Sequence, residues 1–183
     1  MKTQLSLSEL AARIHDDAAN KADFVAPVGS VSMNDDSTIT VEGSITAAPA
    51  TDHGHRQMAE FTGVPAAYYD RMRSADPGLL ATNVNRWLGD KRNERRMVRT
   101  LNGTVRALLS DRYQRIDNME VAEVTLNALH DVPGLRIVSS AVTESRMYIK
   151  AVSTKIIAPD PGLRRVGSLI EAGVVIANSE VGL

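Results

Sequence analysis

The side chains best suited to chemistry in this sequence are arginines, and they are concentrated. Between Arg86 and Arg115 stand Arg86, Lys91, Arg92, Arg95, Arg96, Arg99, Arg106, Arg112 and Arg115, against Asp90, Glu94 and Asp111. This local excess of positive charge sits in a chain whose net charge is −1, so the charge is segregated and can focus a field although the whole is nearly neutral. A second group follows later. Arg146, Tyr148 and Lys150 alternate along a β-prone run, which puts them on one face of a strand at a spacing of about 6.5 to 7 Å. Arginine holds phosphate through planar bidentate hydrogen bonds, a tyrosine ring offers a plane for stacking, and Met97 and Leu108 supply an apolar floor on which bases can lie. The residue types therefore point to Arg95, Arg99, Arg106, Arg112, Arg146, Tyr148 and Lys150 as a nucleic-acid-binding set. The competing reading is a solvated basic face, or a face covered by a helix with the arginines snorkelling to its rim.

Other chemistry is poorly supplied. Zero cysteines exclude disulfides, thiolate catalysis and cysteine-type zinc sites together. His53-Gly54-His55 has no third ligand placed nearby, and His15-Asp16-Asp17 ends a helix, where histidine also serves as a dipole partner. Asp35-Asp36 falls in a turn, where acidic residues are routine. Neither a phosphate-binding Gly-x-x-x-x-Gly-Lys-Ser/Thr loop nor a Gly-x-Ser-x-Gly nucleophile elbow is present. The expectation is a non-enzymatic protein with no metal and no cofactor.

The elements that must position the arginines begin with Asn102-Gly103, the strongest short-range hairpin signal, because both residues of a type I′ turn need positive φ. A two-residue loop sets Leu101 opposite Thr104, Thr100 opposite Val105, Arg99 opposite Arg106 and Val98 opposite Ala107. One face then carries Val98, Val105, Ala107 and Leu109 as core. The other carries Arg95, Met97, Arg99, Arg106 and Leu108. Ser6-Leu7-Ser8-Glu9 reads as a capping box opening an amphipathic helix to about Asn20, with Leu7, Leu10, Ala11, Ile14 and Ala18 on its apolar side. Phe24 to Met33 reads as an irregular or edge strand, Thr38 to Glu42 as a strand, and Ser44 to Asp52 as a loop. Two short helices broken at Gly63 span His53 to Arg73, with Met58, Phe61, Tyr68 and Met72 in their seam and the look of a helix-turn-helix over 57–73. Asp76-Pro77 caps a further helix whose buried stripe is Leu79, Leu80, Val84, Trp87 and Leu88.

Beyond the hairpin, Asp117 to Glu120 reads as a second capping box, leading a helix with Val121, Ala122, Val124, Ala128 and Leu129 on its apolar side. Leu135 to Val142 and Arg146 to Val152 are paired strands. Pro159-Asp160-Pro161-Gly162 makes a loop before Arg164-Arg165 and Val166 to Ile170, and Gly173 to Asn178 reads as a buried strand. The class is α+β: a largely antiparallel β-sheet with a central Asn-Gly hairpin, packed helices and a small helical subdomain. The stretches are 1–52 (N-terminal helix and short strands), 53–94 (helical subdomain) and 95–183 (sheet domain), forming one globular unit. A hydrophobic fraction of 43% and a charged fraction of 23% are those of an ordinary soluble protein, and no apolar run is long enough for a membrane span or a signal core, so a cytoplasmic location is expected.

Val98-Arg99-Thr100-Leu101, Val105-Arg106-Ala107-Leu108-Leu109-Ser110-Asp111-Arg112-Tyr113 with Asn118 after it, and Asn178-Ser179-Glu180-Val181-Gly182 together carry a resemblance. The chain resembles the phage- and plasmid-borne domain of unknown function 932 (DUF932) family, as do Ala66-Ala67-Tyr68-Tyr69 and Asn83-Val84-Asn85-Arg86-Trp87-Leu88. The likeness covers roughly Ala50 to Leu183. Leu108 stands where valine is usual, and the chain is C-terminally short relative to the family. Such proteins sit on mobile elements, so the resemblance implies DNA metabolism, in the host cytoplasm if the chain is phage-encoded, and it assigns no catalytic residue. The function expected is single-stranded DNA binding or annealing by a homo-oligomer. The alternatives are an interaction protein that binds a host factor, for example to blunt a defence system, and a duplex DNA-binding protein using the helix-turn-helix at 57–73.

Overall fold

The structure, a computed structural model, describes residues 4–157 and 170–182. In chain order it contains α1 (Leu7–Asn20), β1 (Lys21–Pro27), β2 (Val31–Met33), β3 (Ile39–Val41), β4 (Ile45–Ala48), α2 (Asp52–Thr62), α3 (Ala66–Ala75) and α4 (Pro77–Asp90). There follow β5 (Arg95–Leu101), β6 (Thr104–Ser110), α5 (Asn118–His130), β7 (Leu135–Val142), β8 (Met147–Ile157) and β9 (Ile170–Asn178). The fold is α+β. Its strands form not one sheet but three small antiparallel ones, ordered β1-β5-β6, β2-β3-β4 and β7-β8-β9. The expected loop at Pro159-Asp160-Pro161-Gly162 and the Arg164-Arg165 segment lie outside the described residues.

Two compact units result. The first comprises Met1–Asp16 with Arg115–Val181, and the second Asp17–Gln114 with Gly182. These boundaries differ from stretches cut at 52 and 94. The reason is visible in the second unit, where the helices expected to stand apart share a core with strands: Met58, Phe61, Tyr69, Leu80 and Val84 pack in one cluster with Val28, Val41, Val98 and Leu108.

Local chemistry sets the helix ends. Ser6 and Glu9 close a reciprocal capping box on α1, with Ser6 N–H donating to Glu9 Oε2 at 2.7 Å and Glu9 N–H to Ser6 Oγ at 3.3 Å. Thr51 Oγ1 accepts from Gly54 N–H at the start of α2, Gly63 ends that helix at φ +73°, and Asp76 Oδ1 accepts from Leu79 N–H to start α4. Asp117 occupies the cap position of α5 but its side chain makes no capping hydrogen bond. The acceptor is instead Glu180, whose Oε1 takes the Asn118 N–H at 2.8 Å, while Asn178 Nδ2 donates to Asn118 Oδ1 and Ile116 O.

Several expected apolar faces are rotated. Trp87 is 46% exposed, as Tyr68 is, and Leu79 is exposed too; the buried members are Leu80, Ala81, Val84 and Leu88 on α4 and Tyr69 on α3. Val124 on α5 and Leu7 on α1 also face outward. Ile45–Ala48, expected as loop, forms a short strand whose ladder is irregular where Ala47 takes φ +49° and donates its N–H to Thr40 Oγ1. The apolar run in β9 is an edge strand with Val174 and Val175 exposed, not a strand buried on both faces.

The hairpin explains the fate of two arginines. Asn102 and Gly103 adopt φ +49° and +73° between Leu101 and Thr104, which pair. The ladder then shifts: Thr100 pairs Val105, but Arg99 pairs Ala107 and Val98 pairs Leu108, so Arg106 is the extra residue of a bulge and does not oppose Arg99. The shift lets Val105 and Leu108 both join the helix-facing core. Backbone groups around the bulge find partners outside the sheet: Val105 N–H donates to Pro49 O, Thr51 N–H to Val105 O, Thr51 Oγ1 to Arg106 O, and Leu108 N–H to Gln57 Oε1. Arg99, 2% exposed, is clamped by Asp23 across the β1–β5 ladder through Nε–Oδ1 at 2.9 Å and Nη2–Oδ2 at 2.8 Å.

A buried charge left without its partner costs several kcal/mol, whereas replacing both partners by apolar groups is often neutral. Asp23→Ala is expected to destabilise the protein by about 3–5 kcal/mol in urea unfolding. The pair Asp23→Leu with Arg99→Met should recover most of that loss.

Candidate nucleic-acid interface

The expected binding set divides between the two units. Arg95 and Arg112 are exposed, at the start of β5 and in the turn after β6, where Arg112 N–H donates to Ser110 Oγ. Arg99 and Arg106 leave the set: both are buried, the first in its ion pair and the second in the bulge. The hairpin and the Arg146 strand belong to different sheets.

In the first unit the alternation of β8 sorts its side chains cleanly. Met147 and Ile149 are fully buried against Leu10 and Ile14 of α1 and Ala122 of α5. Tyr148 and Lys150 therefore project from the opposite face, the first half-buried and the second exposed. Arg146 is exposed in the turn that leads into β8, with its N–H on Thr143 Oγ1 and its carbonyl accepting from Thr143 N–H. Cross-strand neighbours shape what a ligand meets. Tyr148 is flanked by the small side chains of Ala141 on β7 and Ala177 on β9, and Lys150 by Ser139 and Val175.

A cavity of about 310 Å³ opens on this face, lined by Tyr148, Lys150, Ser139, Ala141, Val175 and Gln4. Gln4 reaches the site because the chain before α1 runs along β7: Leu5 N–H donates to Ser140 O, Ser140 Oγ to Leu5 O, and Gln4 Nε2 to Val138 O. Sequence reasoning missed Gln4 and Ser139. No local signal ties Leu5 to Ser140, 135 residues away, and a register shift at Val138 sets which β7 residues share the face of Tyr148. What the face offers chemically is one aromatic plane, cations and small polar groups, without a nucleophile–base pair. Among the described residues, no three His, Asp or Glu side chains gather in a way that could hold a metal ion, and no helix is long and apolar enough to cross a membrane.

The helix-turn-helix candidate is a tightly bound helix pair. His55 Nδ1 and the Tyr69 hydroxyl share a hydrogen bond of 2.9 Å in the α2–α3 seam, and Arg73 Nη2 donates to Asp52 Oδ1 at 2.9 Å with Asp70 also near. His55 is thus a packed residue of this seam. Burial, reinforced by the Arg73 guanidinium and opposed by Asp52 and Asp70, pushes its imidazole down to about 4, and burial pushes the Tyr69 phenol up. The exposed side of α3 carries Tyr68, Asp70 and Arg71, a weakly charged surface for a helix that would enter a groove.

Comparison with known proteins finds no matching family profile, no matching characterised protein and no matching solved structure.

The depressed pKa of His55 has a consequence in acid. Between about pH 6.5 and about pH 4 the unfolded chain binds a proton that the folded chain refuses, so stability falls as pH falls through that window, by up to about 3 kcal/mol. His55→Gln, which keeps a hydrogen-bonding group for Tyr69 and does not titrate, should remove this part of the acid slope in unfolding curves taken at pH 7, 5.5 and 4.

Proposed function

We propose that the protein binds single-stranded nucleic acid, DNA in the first place, without catalysing a reaction on it, and that the open face of β7-β8-β9 is the contact surface. The observation that carries this reading is the placement of Tyr148 between two alanines, with Lys150 exposed two residues on along the same face. Sheet faces that bind single strands use this division of labour: an aromatic ring takes a base and nearby cations take the backbone. In this reading Tyr148 stacks, Lys150 and Arg146 hold phosphates, and Ser139 and Gln4 offer hydrogen bonds to a base edge. Arg95 and Arg112, exposed in the second unit, remain cations available to a phosphate backbone. The resemblance to the DUF932 family adds a setting in mobile-element DNA metabolism, with the protein working as a homo-oligomer. A duplex reader is less well supported, since the α2–α3 pair spends Arg73 on Asp52 and Asp70.

Binding of fluorescent oligonucleotides across a salt series tests the reading. Affinity for single strands should fall linearly in log salt with a slope of about −0.7 per phosphate contact. Tyr148→Ala should weaken binding at every salt concentration by about 1 to 3 kcal/mol, whereas Lys150→Ala and Arg146→Ala should mainly flatten the slope. Duplex preference retained by Tyr148→Ala would move the site to α2–α3. Absence of salt-dependent binding to any nucleic acid would leave the host-factor reading in its place.

A further inference from the structure

A second concave site lies wholly within the second unit and plays no part in the surface just described. Lys91 and Arg96 converge there on one aromatic ring: the Arg96 guanidinium carbon lies 4.0 Å, and Lys91 Nζ 4.4 Å, from the Phe61 centroid. The ring's negative faces attract each cation, but the two cations repel each other, so bringing both to one ring needs further compensation. Some is supplied inside the protein. Lys91 Nζ donates to the Phe61 carbonyl, and Arg96 Nη2 donates to Glu94 Oε2 at 3.2 Å. Arg96 Nε is nonetheless buried with no hydrogen-bond partner among the described residues, a cost that native proteins rarely leave unanswered.

These groups border a cavity of about 410 Å³ whose remaining wall includes Gln57, Glu60 and Leu108. Gln57 Oε1 accepts from Leu108 N–H, which ties this part of the wall to β6. Glu60 is the acidic member of the wall. The volume far exceeds what a bare oxyanion requires, given that a water molecule's share of the liquid is about 30 Å³. Leu108 gives one side of the cavity an apolar surface.

We propose that this cavity binds a small organic phosphate, its dianionic headgroup held by Arg96 and Lys91 and its body lying against Leu108. A phosphate monoester fits the site better than a carboxylate because two cations meet at one headgroup beside Glu60 and Glu94, and a dianion draws on both where a carboxylate needs only one.

Uridine 5′-monophosphate is the probe, with uridine and inorganic phosphate as controls, in calorimetric titrations and thermal melts of the full chain. The expected result is saturable binding of the nucleotide with a Kd below about 1 mM and a rise in melting temperature, with each control at least about tenfold weaker. Arg96→Gln should lose the nucleotide by about tenfold or more while keeping the single-strand affinity set by Tyr148. Equal binding of phosphate and nucleotide would reduce the site to an adventitious anion patch and overturn the proposal, as would absence of any effect of the nucleotide on the unaltered chain. The latter outcome reads on the wild-type protein, so it holds even if Arg96→Gln fails to fold. Competition of the nucleotide by single-stranded DNA, lost in Tyr148→Ala, would place the nucleotide on the β7-β8-β9 face and also refute the assignment.

Discussion

A strand that must present Val105 and Leu108 to the same helical layer cannot keep an unbroken alternation, because residues three apart point to opposite faces. The bulge at Arg106 resolves the conflict, and much of the second unit depends on how its loosened backbone is satisfied. Pro49, Thr51 and Gln57 supply the partners, so the start of α2 is docked onto β6 through main-chain groups rather than through apolar packing alone. The closeness is tight enough that a Cβ on Gly54 would stand 3.0 Å from Val105 O. Glycine at the third helical position is thus a packing requirement, despite its cost to helix propensity.

The same bulge decides the meaning of the arginines. With an uninterrupted ladder, Arg99 and Arg106 would stand side by side and need an anion or water to separate them. With the bulge, Arg99 stands beside Ala107 and meets Asp23 on its other flank. A basic cluster in a sequence therefore mixes two populations: cations spent on structure, such as Arg99, and cations exposed at the surface, such as Arg95.

What was legible in the sequence was local. Ser6 with Glu9, Gly63 after α2, Asp76 before Pro77, and Asn102-Gly103 are each read from within a few residues, and each acts where it stands. The alternation in Met147 to Lys150 was equally plain, and it placed Tyr148 and Lys150 on the face away from the helices. What was not legible was set at long range. Asp23 lies 76 residues from Arg99, and Glu180 caps a helix begun 62 residues earlier, in place of the nearby Asp117 that composition favoured. Trp87 and Tyr68 deceive for another reason: residue type alone puts them in the core, whereas helical phase turns them outward and leaves Leu88 and Tyr69 inside. The Asn178-Ser179-Glu180 run reads, in the structure, first as a clasp on the start of α5.

The split composition of the first unit bears on the order in which the protein is made. Leu10 and Ile14 are synthesised more than 130 positions ahead of Met147 and Ile149, side chains they pack against. Asp17–Gln114 is meanwhile continuous and emerges whole. During translation at about 5–20 residues per second, the apolar side of α1 spends several seconds outside the ribosome without its native partners. A nascent chain long enough for Gln114 to have cleared the ribosome would carry the whole Asp17–Gln114 segment while the apolar side of α1 still lacks Met147 and Ile149.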